Sequence, residues 1–268
     1  AVSIEGQVVW SEGFGYANIE TGTPVTPATK FRIGSVSKSL TSVAMGILID
    51  EGRLDLDVPV QRYARSFPEK AKGAITSRLV GGHLAGIRHY RGMENFSSRK
   101  YLTVTDALGI FKDDALQTPP GEAYSYSSYG WNLLSAVVEG ASGEEFLPYI
   151  YGNVFGPLDM RNTLAEHMDS IIVARGAYYV RSGQGMSAPI INAPYVDNSY
   201  KWAGGGFVST PEDLMKFAHG LMYGDILSED TRNTLWVTQH TSDGEATGYG
   251  IGFSDGMEME HRVVGHGG

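Results

Sequence analysis

Phe31-Arg32-Ile33-Gly34-Ser35-Val36-Ser37-Lys38-Ser39-Leu40-Thr41 is the stretch from which the rest of the chain is read. It has the pattern of a short strand, a glycine and a helix that opens on a serine, with a lysine three residues further on. Residues three apart on a helix share a face, so Ser35 and Lys38 can point into one space. A hydroxyl needs a base within hydrogen-bond reach to act as a nucleophile near neutral pH. An amine can be that base once desolvation or a neighbouring charge lowers its pKa. The expectation is that Ser35 attacks a carbonyl and Lys38 activates it. The competing reading has Ser35 merely capping an apolar helix, Leu40 to Ile49 closed by Gly52, with Lys38 exposed in its first turn. Spacing does not decide between them, because Ser-x-x-Lys recurs at Ser97/Lys100 in a polar run that reads as a solvated loop.

Outward from this stretch, composition narrows the field. The chain has 268 residues, 42% hydrophobic and 19% charged, as suits a globular protein of one large or two modest domains. No apolar run approaches the ~18 residues of a membrane span, and no basic, apolar leader opens the sequence. A net charge of −9 without a basic run argues against nucleic-acid or anionic-membrane partners. With no cysteine, disulfides, thiolate metal sites and a cysteine nucleophile are excluded. No histidine pair has metal-ligand spacing, and no phosphate-binding loop or dinucleotide fingerprint is complete. No cofactor is expected.

In chain order, Val8-Val9-Trp10 and Phe14-Gly15-Tyr16-Ala17 read as strands of a meander, Thr21 to Pro24 as a turn, and Lys30 to Ile33 as a strand entering the Ser35 helix. Helical patterns follow at Thr76 to His83, Val104 to Phe111, Tyr129 to Gly140 and Glu144 to Phe155. A strand signal returns at Ala177 to Val180. Ala203 to Val208 reads as a return to sheet, and Ser209-Thr210-Pro211-Glu212 as a capped helix start. Thr247 to Phe253 and His261 to Gly265 read as two strands joined at Ser254-Asp255-Gly256-Met257. The expected division is a sheet part, 1–58 and 203–268, around a mostly helical part, 59–202, with the site in the cleft between. The abrupt ends suggest a sheet continued beyond them. Gly252-Phe253-Ser254-Asp255-Gly256 matches a nucleophile elbow, but an elbow needs a helix after its serine. Here the following residues alternate polar and apolar as a strand does.

A third element is Tyr124-Ser125-Tyr126-Ser127-Ser128-Tyr129, joining a loop to a helix. A tyrosine at such a junction can face a cleft, and beside an ammonium group its phenolate can serve as general base and acid. Tyr124 and Tyr129 read as packing aromatics.

Ser35-Val36-Ser37-Lys38, Tyr126-Ser127-Ser128 and His266-Gly267-Gly268 stand in the order of three motifs. Together they resemble the superfamily of class C β-lactamases, penicillin-binding proteins and related esterases. The likeness runs to the branch that holds mitochondrial serine β-lactamase-like proteins and their bacterial relatives. Long runs extend it: Arg32 to Thr41, Leu54 to Gln61, Gly86 to Tyr90 and Pro194 to Phe207. The resemblance implies an α/β fold of α+β type, an antiparallel sheet flanked by helices plus a mostly helical subdomain. It implies Ser35 as acylated nucleophile, Lys38 and Tyr126 sharing the proton work, and the Ser35 N–H as half of an oxyanion hole. The other half would come from the residue after Gly268. Ser128, His266, Gly267 and Gly268 would bind substrate. Two departures bear on specificity. Ser128 stands where the family often has asparagine, which weakens positioning of a substrate amide. His266-Gly267 stands where β-lactamases have Lys-Thr, so a cation and a hydroxyl that would hold a substrate carboxylate are lost. The expectation is a serine hydrolase of esters, amides or peptides, esterase or peptidase ahead of efficient β-lactamase. The alternative is a catalytically weak homologue serving as a scaffold or assembling subunit, and a homo-oligomer stays open. By the resemblance, a periplasmic, secreted or cytoplasmic bacterial setting fits; the residues themselves do not choose.

Overall fold

Helix α1, Ser37–Asp50, is apolar all round from Val43 to Ile49, and the structure, a computed structural model, buries it nearly whole, its polar first turns included. Residues 1–183 and 185–268 are described. Eleven of the fourteen residues of α1 are buried, including Ser37, Lys38, Ser39, Thr41 and Ser42. A helix closed off on every side belongs in a core, and it packs here chiefly against three others, with a smaller contact to α5 (Phe146–Ile150). The three are α4 (Ser128–Ser142), α6 (Trp202–Gly205) and α8 (Glu229–Trp236). Its end matches the sequence pattern: Gly52, with φ of +69°, follows the last turn. The remaining helices are α2 (Ser77–Gly81), α3 (Val104–Leu108) and α7 (Pro211–Tyr223).

The strands are short and antiparallel. β1 (Val2–Ile4) pairs with β2 (Gln7–Trp10), and β3 (Tyr16–Asn18) with β4 (Thr23–Pro24). This replaces the expected meander, since β2 and β3 are not partners. Between them the backbone of Gly13 runs against that of Val25 instead: a Cβ there would lie 2.3 Å from the Val25 carbonyl oxygen. β5 (Phe31–Arg32), β6 (Leu164–Ala165) and β9 (Phe207–Ser209) form a three-stranded sheet in the order β5-β9-β6. It seats the entry to α1, with Arg32 opposite Val208 and Leu164 opposite Val208 on the other side. β7 (Tyr179–Arg181) pairs with β8 (Ile190–Asn192). The mixed α/β class is therefore as expected.

Three local expectations are corrected. Trp202–Gly205 is a helical turn rather than strand, and the sheet resumes only at Phe207. The glycines serve close packing there, for a Cβ on Gly204 would meet the Ser128 carbonyl oxygen at 3.0 Å. The last hairpin is shifted: β10 is Ser254–Glu258, β11 is His261–Gly265, and Met259 and Glu260, with φ of +44° and +69°, make the turn. Ser254 thus opens a strand, and its hydroxyl donates to Gly265 O at 2.8 Å, which removes the elbow reading. At α7, Thr210 is the N-cap and Pro211 the first residue, but only half of a capping box forms. The Asp213 carboxylate turns instead to Asn162 N–H and the Thr163 hydroxyl, at 2.7 and 3.0 Å.

Candidate active site

Ser35 lies in a 3-10 turn, Gly34–Val36, just before α1, and its hydroxyl caps neither helix. Its Oγ instead accepts from Lys38 Nζ at 2.9 Å and from Tyr126 OH at 2.8 Å. Lys38 is not the exposed first-turn residue of the competing reading; it is fully buried. Its Nζ also donates to Ser128 Oγ at 3.2 Å and to Gly204 O at 2.7 Å. Those three acceptors match the three hydrogens of an ammonium. As a neutral amine, Lys38 could keep two of them and accept the Ser35 proton. Burial is the main cause that lowers its pKa to about 7, with the positive charge of Lys201 adding to it. Lys201 is itself brought down to about 8, chiefly by burial, and donates to Asn95 O at 3.1 Å.

Tyr126 stands immediately before the N-cap of α4. Two helix N-termini therefore converge on Ser35, and their partial positive charge favours negative charge developing between them. Burial raises the Tyr126 pKa, and its hydrogen bonds to Ser35 and Ser128 only partly offset that. The phenol is therefore neutral near pH 7, in contrast to the expected phenolate. Lys38 Nζ lies 4.9 Å from the centre of its ring.

The third motif closes the same space. The His266 ring is 6.4 Å from that of Tyr126. Gly268 passes against the first motif: a Cβ on it would come within 2.7 Å of the Ser35 nitrogen, and Gly34, with φ of +49°, takes up the other side of that contact. His266 Nδ1 donates to Gly267 O at 2.6 Å, and Nε2 accepts from Tyr249 OH at 2.8 Å. Burial, with a smaller contribution from Lys38, lowers the His266 pKa, so the ring is neutral at pH 7 and both its nitrogens are engaged.

Ser35, Lys38, Tyr126, Ser128, His266, Gly267 and Gly268 thus come together from three distant parts of the chain. The second Ser-Lys pair does not: Lys100 pairs with Asp169 at 2.7 Å on the surface. Sequence reasoning missed Gly204, whose carbonyl holds Lys38, and Tyr249, which holds His266. It also missed Lys201 as a neighbouring charge, and His83 and His89 beside Tyr126. Only the long matching runs marked any of these: Gly86 to Tyr90 includes His89, and Pro194 to Phe207 includes Lys201 and Gly204. Among the described residues, no cluster of His, Asp and Glu is arranged to hold a metal ion. No helix among them is long and apolar enough to cross a membrane.

The fold and this constellation define a β-lactamase-fold serine hydrolase scaffold. A family model described as Beta-lactamase matches residues 1–268, and the chain belongs to that family. It is similar to the human mitochondrial serine beta-lactamase-like protein LACTB, 36% identical over 291 residues, covering 83% of this chain and 52% of that protein. The chain thus spans about half the length of this relative. Among solved structures, an octameric penicillin-binding protein homologue from Pyrococcus abyssi superposes with a TM-score of 0.79 at 25% identity, covering 97% of this chain and 61% of that one. A D-amino acid amidase from Ochrobactrum anthropi SV3 shares the fold, with a TM-score of 0.79 at 24% identity over 94% of this chain and 73% of that one.

Proposed function

We propose that this protein is a serine hydrolase that works through an acyl-enzyme on Ser35, in a cleft between a sheet part (1–58 and 203–268) and a mostly helical part (59–202). The observation that carries the reading is the Ser35 hydroxyl, held at once by Lys38 Nζ at 2.9 Å and Tyr126 OH at 2.8 Å. Lys38, with its pKa near 7, takes the Ser35 proton as the oxygen attacks a carbonyl. The Ser35 N–H, at the head of α1, stabilises the oxyanion. Tyr126, a neutral phenol, gives its proton to the leaving group and recovers one from Lys38. Water then repeats the sequence on the acyl-enzyme, restoring Ser35.

Esters, or amides without a carboxylate beside the scissile bond, are the favoured substrates. The third motif supports this through His266, which is neutral at pH 7 and spends both nitrogens on Gly267 O and Tyr249 OH. Ser128 Oγ is likewise engaged by Lys38. An anionic substrate arm finds no free cation in this motif, so β-lactams and D-alanyl peptides are the poorer substrates. Self-association is proposed on the likeness to an octameric homologue.

The test is turnover of a p-nitrophenyl short-chain ester and of a penicillin by the protein and by Ser35→Ala. Ester hydrolysis that exceeds penicillin hydrolysis and vanishes in Ser35→Ala supports the reading. Turnover that survives the substitution refutes the nucleophile. No turnover of either favours a scaffold role.

A further inference from the structure

Two histidines that the acyl-transfer scheme leaves unused hold the loop that carries Tyr126. Helix α4 begins at Ser128 with Ser127 as its N-cap, and the first N–H groups of a helix have no partner inside it. Here Ser127 N–H donates to Nδ1 of His83, and Ser128 N–H to Nδ1 of His89, each at 3.1 Å. The Ser127 hydroxyl takes the Gly130 N–H at 3.1 Å and itself donates to Arg88 O at 2.7 Å. The segment 83–89 therefore supplies every one of these partners except the serine itself. An imidazole that accepts through Nδ1 carries its proton on Nε2 and is neutral.

The same rings flank the phenol. His83 lies 4.2 Å from the Tyr126 ring centre at 39°, and His89 lies edge-on at 5.7 Å and 78°. His83 is buried and has φ of +61°, a conformation that histidine and asparagine accept more readily than a branched residue. His89 is exposed at the surface of the site. Holding the two amides after Tyr126 fixes the backbone that aims the phenol at Ser35. Without acceptors, the first turn of α4 would fray towards water, and misplacement of a reacting group by ~1 Å can cost on the order of 10²-fold in rate.

We propose that His83 and His89, as Nε2–H tautomers clamping the Ser127 and Ser128 amides, are positioning residues that aim Tyr126 at Ser35. The claim rests on the acyl-enzyme reading for its kinetic consequence, but not for its geometry. The test compares His89→Leu, which removes the acceptor and keeps bulk, with His89→Asn, whose Oδ1 falls near the place of Nδ1. His83→Asn is the partner variant, since leucine at φ of +61° would be strained. Three readings are taken: kcat and KM for the ester, hydrogen exchange of the Ser127 and Ser128 amides, and the histidine tautomers from ring-nitrogen shifts. His89→Leu is expected to lose about tenfold to a hundredfold in kcat with KM within about twofold. Its Ser128 amide exchanges faster, and His89→Asn and His83→Asn restore or retain most of both properties. Parental kcat in His89→Leu, equal impairment in His89→Asn, or Nδ1–H tautomers in the folded protein would overturn the proposal. If the unsubstituted protein neither turns over ester nor reacts with a fluorophosphonate, the acyl-enzyme reading fails. The tautomers and the exchange of Ser128 then still decide whether the clamp exists.

Discussion

Burial of Lys38 is the residue-scale fact from which most of the chemistry follows. A lysine with no exposure and a pKa brought down to about 7 holds a substantial amine fraction at neutral pH, whereas an exposed one is almost wholly charged. The sign of the pH dependence follows. As pH rises through about 7, Lys38 loses its proton and becomes the base, so kcat/KM for an ester should climb there and then level off. Tyr126, raised above its ordinary value, adds no loss of activity on the alkaline side below about pH 10. A profile that falls between pH 7.5 and about 9 would contradict these roles. Lys38→Arg should be inactive throughout, since a guanidinium keeps its proton. The same burial costs stability. The folded pKa lies below the unfolded one, so the penalty of burying the ammonium is complete below pH 7 and fades between about 7 and 10.5. Lys38→Met should therefore melt no lower than the parent at pH 6, and any advantage should shrink by pH 9. A lower melting temperature at pH 6 would mean that the lost hydrogen bonds to Ser128 and Gly204 outweigh the relieved charge.

Elements place these residues through their ends. Helix α6 brings the Gly204 carbonyl to Lys38, and Lys201 stands at its N-cap. Removing that charge in Lys201→Met should raise the Lys38 pKa and move the acid limb of the profile to higher pH. An unmoved limb would show that Lys201 does not act on Lys38. At α4, Ser127→Ala removes a cap that accepts Gly130 N–H and should cost about 1 kcal/mol in urea unfolding. Much of this was legible in advance. Helix α1 announces itself by its apolar run closed by Gly52, α4 by amphipathic periodicity, α7 by periodicity and its capped start, and Ser35 with Lys38 by spacing. Tyr126 needed the resemblance to single it out from its neighbours. The rest leaves no local pattern. His83 and His89 reach the α4 N-terminus across 44 and 39 residues, and Tyr249 meets His266 across 17. A glycine run such as Gly204-Gly205-Gly206 suits strand or close-packed helix equally until its neighbours are known. The last hairpin slipped because Met259 and Glu260 take left-handed turn positions that glycine or asparagine usually fill.

At the scale of the whole molecule, the proposed specificity rests on what is gathered around Ser35. Three segments from the first, middle and last parts of the chain meet there, and the cation that a carboxylate would need is replaced by a neutral, doubly engaged imidazole. His266→Lys should restore a charge at that position and speed acylation by a penicillin relative to the ester. If the ratio does not change, His266 does not set the preference. All of these expectations depend on Ser35 being the atom that is acylated. The most direct measurement is the intact mass of the protein after exposure to a fluorophosphonate, followed by peptide mapping, in parallel with Ser35→Ala. One adduct per chain is expected, mapped to Ser35 and absent from the variant. An adduct that persists in Ser35→Ala, or one that maps to another residue, would contradict it.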